Sequence, residues 1–268
     1  MVNDFDKVLD LGGQPVRELM QDIKNMIILA ESERPRSVQK SLGPSEAGHP
    51  CPRQLGYKIH RARSADTSEV RGLNTYGDPM PAFIGLAVHD RLEMAAQAAN
   101  KRLGRIRWVT EQKVVVRLES GDREELAGTC DLYDFDTSTL LDWKVPGATV
   151  YSDCVKNGPP EVYRNQVHLY GQGYIRLGFK VKHVGIVFIS RTGTLRQTHL
   201  WREPYSQSRV DSVLAKLDDV EDKLDQYNVA ADPSGLLRLP IVPGKYCSYC
   251  PWFSPKPTGP YQCGGAEL

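Results

Sequence analysis

The sequence predicts an α/β fold, a strand-bearing core flanked by helices, with cysteine-carrying extensions at both ends. Two observations predict it. Helical and alternating apolar patterns succeed one another in the order helix, three strands, helix, strands, helix. The six cysteines are also unevenly placed: Cys51 stands alone near the N-terminus, Cys130 and Cys154 lie mid-chain, and Cys247, Cys250 and Cys263 crowd the C-terminus.

Each element has its own local cause. Residues 15–31 place Val16, Leu19, Met20, Ile23 and Ile27 at helical spacing, with Pro15 suited to a first turn. Residues 32–50, rich in Ser, Pro, Gly and charge, read as a linker or ordered loop. A short helix follows over 52–60, and 61–78 is irregular. Residues 81–103 form a helix with Phe83, Ile84, Ala87, Val88, Leu92 and Ala95 on its apolar side, and Gly104 ends it. Strands are predicted over 108–118, 125–135 and 139–145, separated by Gly121-Asp122 and by residues 136–138. A helix over 160–177 stops at Gly178. Residues 181–190 and 195–201 read as a hairpin, and 207–227 as an amphipathic helix. From Asp232 onward the chain is rich in Pro, Gly and Cys and has no period.

The domain boundaries that follow are an N-terminal extension over 1–78, a core over 79–231 and a cysteine-rich segment over 232–268. No apolar run is long enough to span a bilayer, and the acidic start, Met1 to Asp6, does not read as a signal peptide. A cytoplasmic location is expected. A formal net charge of +1 does not advertise nucleic-acid binding. Local clusters do so more clearly: Arg53, Lys58, His60, Arg61 and Arg63, then Lys101, Arg102, Arg105 and Arg107. Tyr57, Tyr76 and Trp108 could supply stacking surfaces beside them, or pack in the core.

Asp142 and Lys144 lie two apart on one strand, so their side chains share a face. Asp131 lies on the preceding strand after Gly128-Thr129-Cys130. If the two strands pair, both carboxylates converge and make a hard oxygen shell suited to Mg²⁺ or Mn²⁺. Such a metal polarises a phosphate and lowers the pKa of bound water, while Lys144 orients that water or offsets developing charge. An imidazole ligand from His89 favours Mn²⁺. Gln166 and Tyr170 share a face of the next helix. An isolated Asp-x-Lys is also an ordinary feature of a solvent-facing strand edge.

Cys247-Ser248-Tyr249-Cys250 is a tight turn presenting two thiolates; with Cys263 and Cys51 it could hold a [4Fe–4S] cluster or a tetrahedral Zn²⁺. Spacing alone does not separate the two. Either would staple the extensions together in place of a missing hydrophobic core.

Taken together, the pattern resembles the RecB-like branch of the PD-(D/E)XK nucleases. That family carries a helix His, a Gly-x-x-Asp strand, an Asp/Glu-x-Lys strand and a Gln-x-x-x-Tyr helix in this order. They correspond here to His89, Gly128 to Asp131, Asp142 to Lys144, and Gln166 to Tyr170. The resemblance implies a restriction-endonuclease-like core, a central mixed sheet flanked by helices. It also implies metal ligation by His89, Asp131 and Asp142 with a main-chain carbonyl near Trp143 or Val145, a catalytic Lys144, and accessory roles for Gln166 and Tyr170. A lone N-terminal Cys with a C-terminal Cys-x-x-Cys…Cys is similar to the iron–sulfur nucleases, among them the CRISPR-associated RecB-type exonucleases and the AddB nuclease domain. The gap from Cys250 to Cys263 is longer than theirs, which leaves Cys154 as a substitute ligand. This likeness implies a structural [4Fe–4S] cluster, with Zn as the alternative. It further implies exonuclease action on DNA, single-stranded or with free ends, in a prokaryote or a phage-infected cell. A recombination or helicase partner and an oligomer are compatible with it. A non-catalytic iron–sulfur DNA-binding subunit of a recombination or spacer-capture complex is the alternative function.

Overall fold

Five strands form one mixed sheet in which spatial order repeats chain order. The computed structural model describes residues 13–32, 41–64, 78–121, 123–244 and 247–265. The chain divides into two units, Met1–Gln39 with Asp78–Phe83, and Lys40–Gly77 with Ile84–Leu268. In the first, α1 (Gly13–Ser32) is the predicted amphipathic helix, and its Val16, Leu19, Met20 and Ile23 are exposed.

The second unit holds the sheet. The long helix predicted before the strands is α4 (Met80–Leu103), whose residues from Ile84 onward belong to this unit. It ends where Gly104 takes φ of 65° and donates to the Lys101 carbonyl. Strands β1 (Trp108–Arg117), β2 (Leu126–Asp134) and β3 (Thr139–Lys144) form an antiparallel meander. β4 (His183–Phe188) then pairs parallel to β3, and β5 (His199–Pro204) antiparallel to β4. A parallel neighbour needs a long crossover. Two helices supply it, α5 (Ala148–Asn157) and α6 (Glu161–Arg176).

The sheet and α6 enclose one core: Val114, Cys130, Tyr133, Leu140, Val184, Ile186 and Phe188 pack with Val167, Tyr170 and Tyr174 of α6. Glycines set how closely the helix lies. A Cβ on Gly173 would stand 2.6 Å from two Val114 carbons, and one on Gly171 would stand 2.7 Å from the Tyr205 ring. Gly173→Ala is therefore expected to destabilise the protein by about 1–3 kcal/mol through overpacking. Urea unfolding measures it, and an unchanged midpoint would show that helix and sheet can part without cost.

A second core joins the two ends of the chain. Helix α3 (Pro52–Arg63) buries Leu55, Tyr57 and Ile59 against α7 (Gln207–Gln226), which contributes Val210, Val213, Leu217, Val220 and Leu224; Leu236, Leu239 and Trp252 of the tail close it. The expectation that the extensions lack a hydrophobic core is thus corrected. The sequence hid it because tail residues such as Leu236, Leu239 and Trp252 follow no helical or strand period. They pack from a 3₁₀ turn (Pro233–Arg238) and loops.

Three further departures have local causes. Helix α5 was not anticipated: it is short, and Thr149, Val150, Tyr151 and Val155 weaken its helical signature. Cys154 fastens it to the first core. Residues 195–197, expected in a strand, form a 3₁₀ turn because the Gln197 side chain folds back to accept from the Thr194 N–H at 2.8 Å. The linker over 32–50 contains a short helix, α2 (Pro44–Ala47), while its residues 33–40 lie outside the described residues, as do residues 65–77 of the irregular stretch. Among the described residues no helix is long and apolar enough to cross a membrane.

Candidate functional site

The β2–β3 pairing brings the two aspartates together. Leu132 pairs with Leu141, so Asp131 and Asp142 are the next opposed positions, one step beyond the last ladder pair. There the Trp143 N–H donates to Asp131 Oδ2 at 2.7 Å, a side chain taking the place of a strand carbonyl. Both carboxylates are almost wholly buried, Asp131 at 9% and Asp142 at 3% exposure.

Three further predicted residues meet them. His89, in the middle of α4, sets Nδ1 3.4 Å from Asp131 Oδ1. Lys144 Nζ lies 2.6 Å from Asp142 Oδ2 and over the Tyr163 ring, 4.9 Å from its centroid. Gln166 of α6 donates to Asp142 Oδ1 at 3.0 Å. Tyr170 is buried, one turn further along α6 from Gln166. Its ring is among the atoms that explain Gly128: a Cβ there would stand 2.8 Å from Pro44 Cδ and 3.2 Å from Tyr170 Cε1.

Burial and charge act against each other in this site. Burial pushes the Asp142 carboxyl up to about 6; Lys144 opposes the shift and Asp131 adds to it. Burial also disfavours the Lys144 ammonium, but the adjacent Asp142 outweighs it and holds the lysine above its usual range. For His89 burial again works against the charged form, and the bond to Asp131 with the nearby charges of Asp131 and Asp142 raises it overall. Burial of Tyr170, with Asp142 and Cys130 close by, raises its phenol well above normal. The pocket thus holds acidic groups whose ionisation a cation would favour.

Sequence reasoning missed Glu111 of β1. Its carboxylate, a His89 ring nitrogen and an Asp131 oxygen all lie within 4.8 Å of one another. The β1–β2 register would have revealed it, since position 111 stands opposite 131. That register is set by the loop between the strands and by a slip between Val115 and Arg117, neither of which a pattern shows.

The cysteine group is also assembled. Cys51, Cys247, Cys250 and Cys263 line one cavity of about 110 Å³, with Arg53 and Tyr57 in its wall. Cys51 is the N-cap of α3, and Cys250 N–H bonds back to the Cys247 carbonyl at 2.9 Å. The long interval before Cys263 is taken up by a loop that doubles back, with the Cys263 N–H donating to Trp252 O at 2.7 Å. Arg53 Nη1 lies 3.8 Å from Cys263 Sγ. Burial, with the neighbouring thiols Cys263, Cys51 and Cys247 adding, pushes Cys250 up to about 11 against a backbone bond at Trp252. Cys154, the alternative ligand, is buried in the first core and is not part of this wall.

Many of the basic residues singled out have internal partners. Arg53 donates to the Leu239 carbonyl, Lys58 pairs with Glu46 at 2.6 Å and Arg63 with Asp225 at 3.0 Å. Arg105 pairs with Asp136 at 2.7 Å and Arg107 with Asp134 at 2.8 Å. Tyr57 is no platform for a base: it is 1% exposed and stacks on Trp252 with ring centroids 5.1 Å apart. Trp108 carries the Arg107 guanidinium 4.3 Å from its ring centroid, and Tyr76 lies outside the described residues.

Fold and site together define a mixed α/β protein in which paired aspartates and a lysine of the five-stranded sheet meet a histidine from a flanking helix. No family model matches the chain, and no curated protein matches it. Among solved structures it is similar to SSO0001, at 14% identity and a TM-score of 0.45, covering 75% of this chain and 87% of that one. It is also similar to the alkaline exonuclease LHK-Exo from Laribacter hongkongensis, at 12% identity and TM-score 0.44 over 70% and 89% of the two chains. A phage-related exonuclease from Haemophilus somnus 129PT shows 11% identity and TM-score 0.46 over 67% and 83%. Likeness this distant assigns no activity here.

Proposed function

We propose that this chain is a divalent-metal-dependent deoxyribonuclease, an exonuclease favouring single-stranded DNA, with a structural [4Fe–4S] cluster on its four clustered cysteines. One observation carries the catalytic part: the β2–β3 register, α4 and α6 bring His89, Asp131, Asp142, Lys144 and Gln166 to a single place, though they come from four separate elements. A cation fits the donor set, one imidazole and two buried carboxylates that repel each other when ionised. Bound there, Mn²⁺ or Mg²⁺ supplies polarisation of a phosphate oxygen and a more acidic water.

The chain's own residues do the rest. Gln166 fixes the orientation of the Asp142 carboxylate, and the Trp143 N–H fixes that of Asp131. Lys144, held protonated, offsets negative charge that develops on the phosphoryl group. Tyr170, buried against Gly128 one turn along α6 from Gln166, packs the floor of the site.

Four cysteines around one cavity favour a metal group over free thiols. The likeness of the cysteine pattern to that of the iron–sulfur nucleases favours a cluster over zinc at this cavity.

Incubating the protein with DNA labelled at either end tests the activity. Stepwise loss of label is expected in Mn²⁺ or Mg²⁺, faster on single strands and absent in EDTA. Binding without any metal-dependent cleavage would instead make the chain a DNA-binding subunit, its buried aspartates structural.

A further inference from the structure

Glu111 occupies an unusual backbone position. Thr110 pairs with Leu132 and Gln112 with Cys130, so β1 continues in one register on both sides of it. At Glu111 itself φ is 48°, in the left-handed region. Among the described residues two others without a glycine's freedom share that region, Ser138 and Asn228. Ser138 lies in the turn before β3 and Asn228 just after α7, where such a conformation is ordinary. Inside a strand it is costly, and it persists only where its surroundings over-determine it. What surrounds Glu111 is the site. Its carboxylate, a His89 ring nitrogen and an Asp131 oxygen lie within 4.8 Å of one another, a mixed nitrogen and oxygen set that one cation can span with bonds of about 2.0–2.6 Å.

Building on the metal-dependent reading above, we infer that Glu111 is a further protein ligand of the cation held by His89 and Asp131. The donor set becomes one imidazole and three carboxylates, counting Asp142, which is paired with Lys144. The left-handed residue belongs to this set: it lies within β1 at the position that the register sets opposite Asp131.

The test measures Mn²⁺ binding to the full chain without DNA, by calorimetry and by the electron paramagnetic resonance of free Mn²⁺. Glu111→Gln keeps the shape and removes the charge, and should weaken binding about 10-fold or more. His89→Ala should weaken it comparably, and Glu119→Gln, an exposed acid beyond the end of β1, should leave it unchanged. Glu111→Gly adds a second readout, because glycine takes positive φ freely. Its melting temperature without metal should hold or rise, while the rise on adding Mn²⁺ is lost.

Unchanged affinity in Glu111→Gln, with His89→Ala weakened, overturns the role of Glu111 alone. So does a Glu111→Gly variant that melts lower yet keeps its full Mn²⁺ stabilisation, which would make the residue structural. An unsubstituted chain that binds no Mn²⁺ overturns the metal-dependent reading and the ligand together.

Discussion

Replacing Lys144 by Ala is expected to lower the rate of DNA cleavage by roughly 10²–10³-fold, and Asp142→Asn by at least as much. The two act through different losses. Without Lys144 the developing phosphoryl charge meets no fixed cation, and buried Asp142 loses the partner 2.6 Å away that favours its ionised form. Asn at 142 is isosteric, but it surrenders the carboxylate proposed to hold the metal and the counter-charge of Lys144. Gln166 still has an oxygen to bond through the amide, so the local packing is kept. Lys144 Nζ need not be stranded, since its side chain is 20% exposed and can reach water. The melting temperature and the affinity for uncleavable DNA should therefore change little while turnover collapses. Single-turnover assays on end-labelled DNA, with melting curves on the same samples, measure both. Undiminished cleavage in both variants would remove these residues from the chemistry.

Cys247→Ala is expected to have the largest effect on the protein as a whole. The purified chain should be brown with a broad absorption from the cluster, and the variant should be colourless and depleted of iron. With the proposed cluster bound, metal–thiolate bonds would tie the C-terminal turn to the N-cap of α3, and losing them would be a stability loss. The hydrophobic core that joins the same segments remains, with Leu55, Tyr57, Leu236 and Trp252 still in place. Partial rather than complete unfolding follows. A loss of about 3–5 kcal/mol would lower the melting temperature by roughly 10 °C, at about 2–4 °C per kcal/mol in a chain of this size. Cys154→Ser should keep both colour and iron, because Cys154 packs with the sheet core rather than the cysteine cavity. A colourless Cys247→Ala that is soluble, fully active and as stable as the parent would sink the staple. Zinc in place of iron would correct the metal and leave the four-thiolate site standing.

The physical basis of what could be read beforehand is local. The helix at 81–103 and the amphipathic helix at 207–227 follow from apolar spacing, the stops at Gly104 and Gly178 from left-handed backbone, and the face shared by Asp142 and Lys144 from the two-residue repeat of a strand. His89, Asp131, Asp142 and Lys144, and the cysteines Cys51, Cys247, Cys250 and Cys263, could be named from residue type and order. Beyond that reach lay whatever depends on who faces whom. Glu111 joins the site only through the β1–β2 register. Arg105 and Arg107, read as open to phosphate, are bound to Asp136 and Asp134 across the turn between β2 and β3. Tyr57 is a core residue because Trp252, nearly two hundred positions away, lies flat on it. Residue type and period constrain the neighbours within a turn of helix or along one strand. Contacts between distant segments depend on loop lengths, slips of register and packing, so only the tertiary structure decides them.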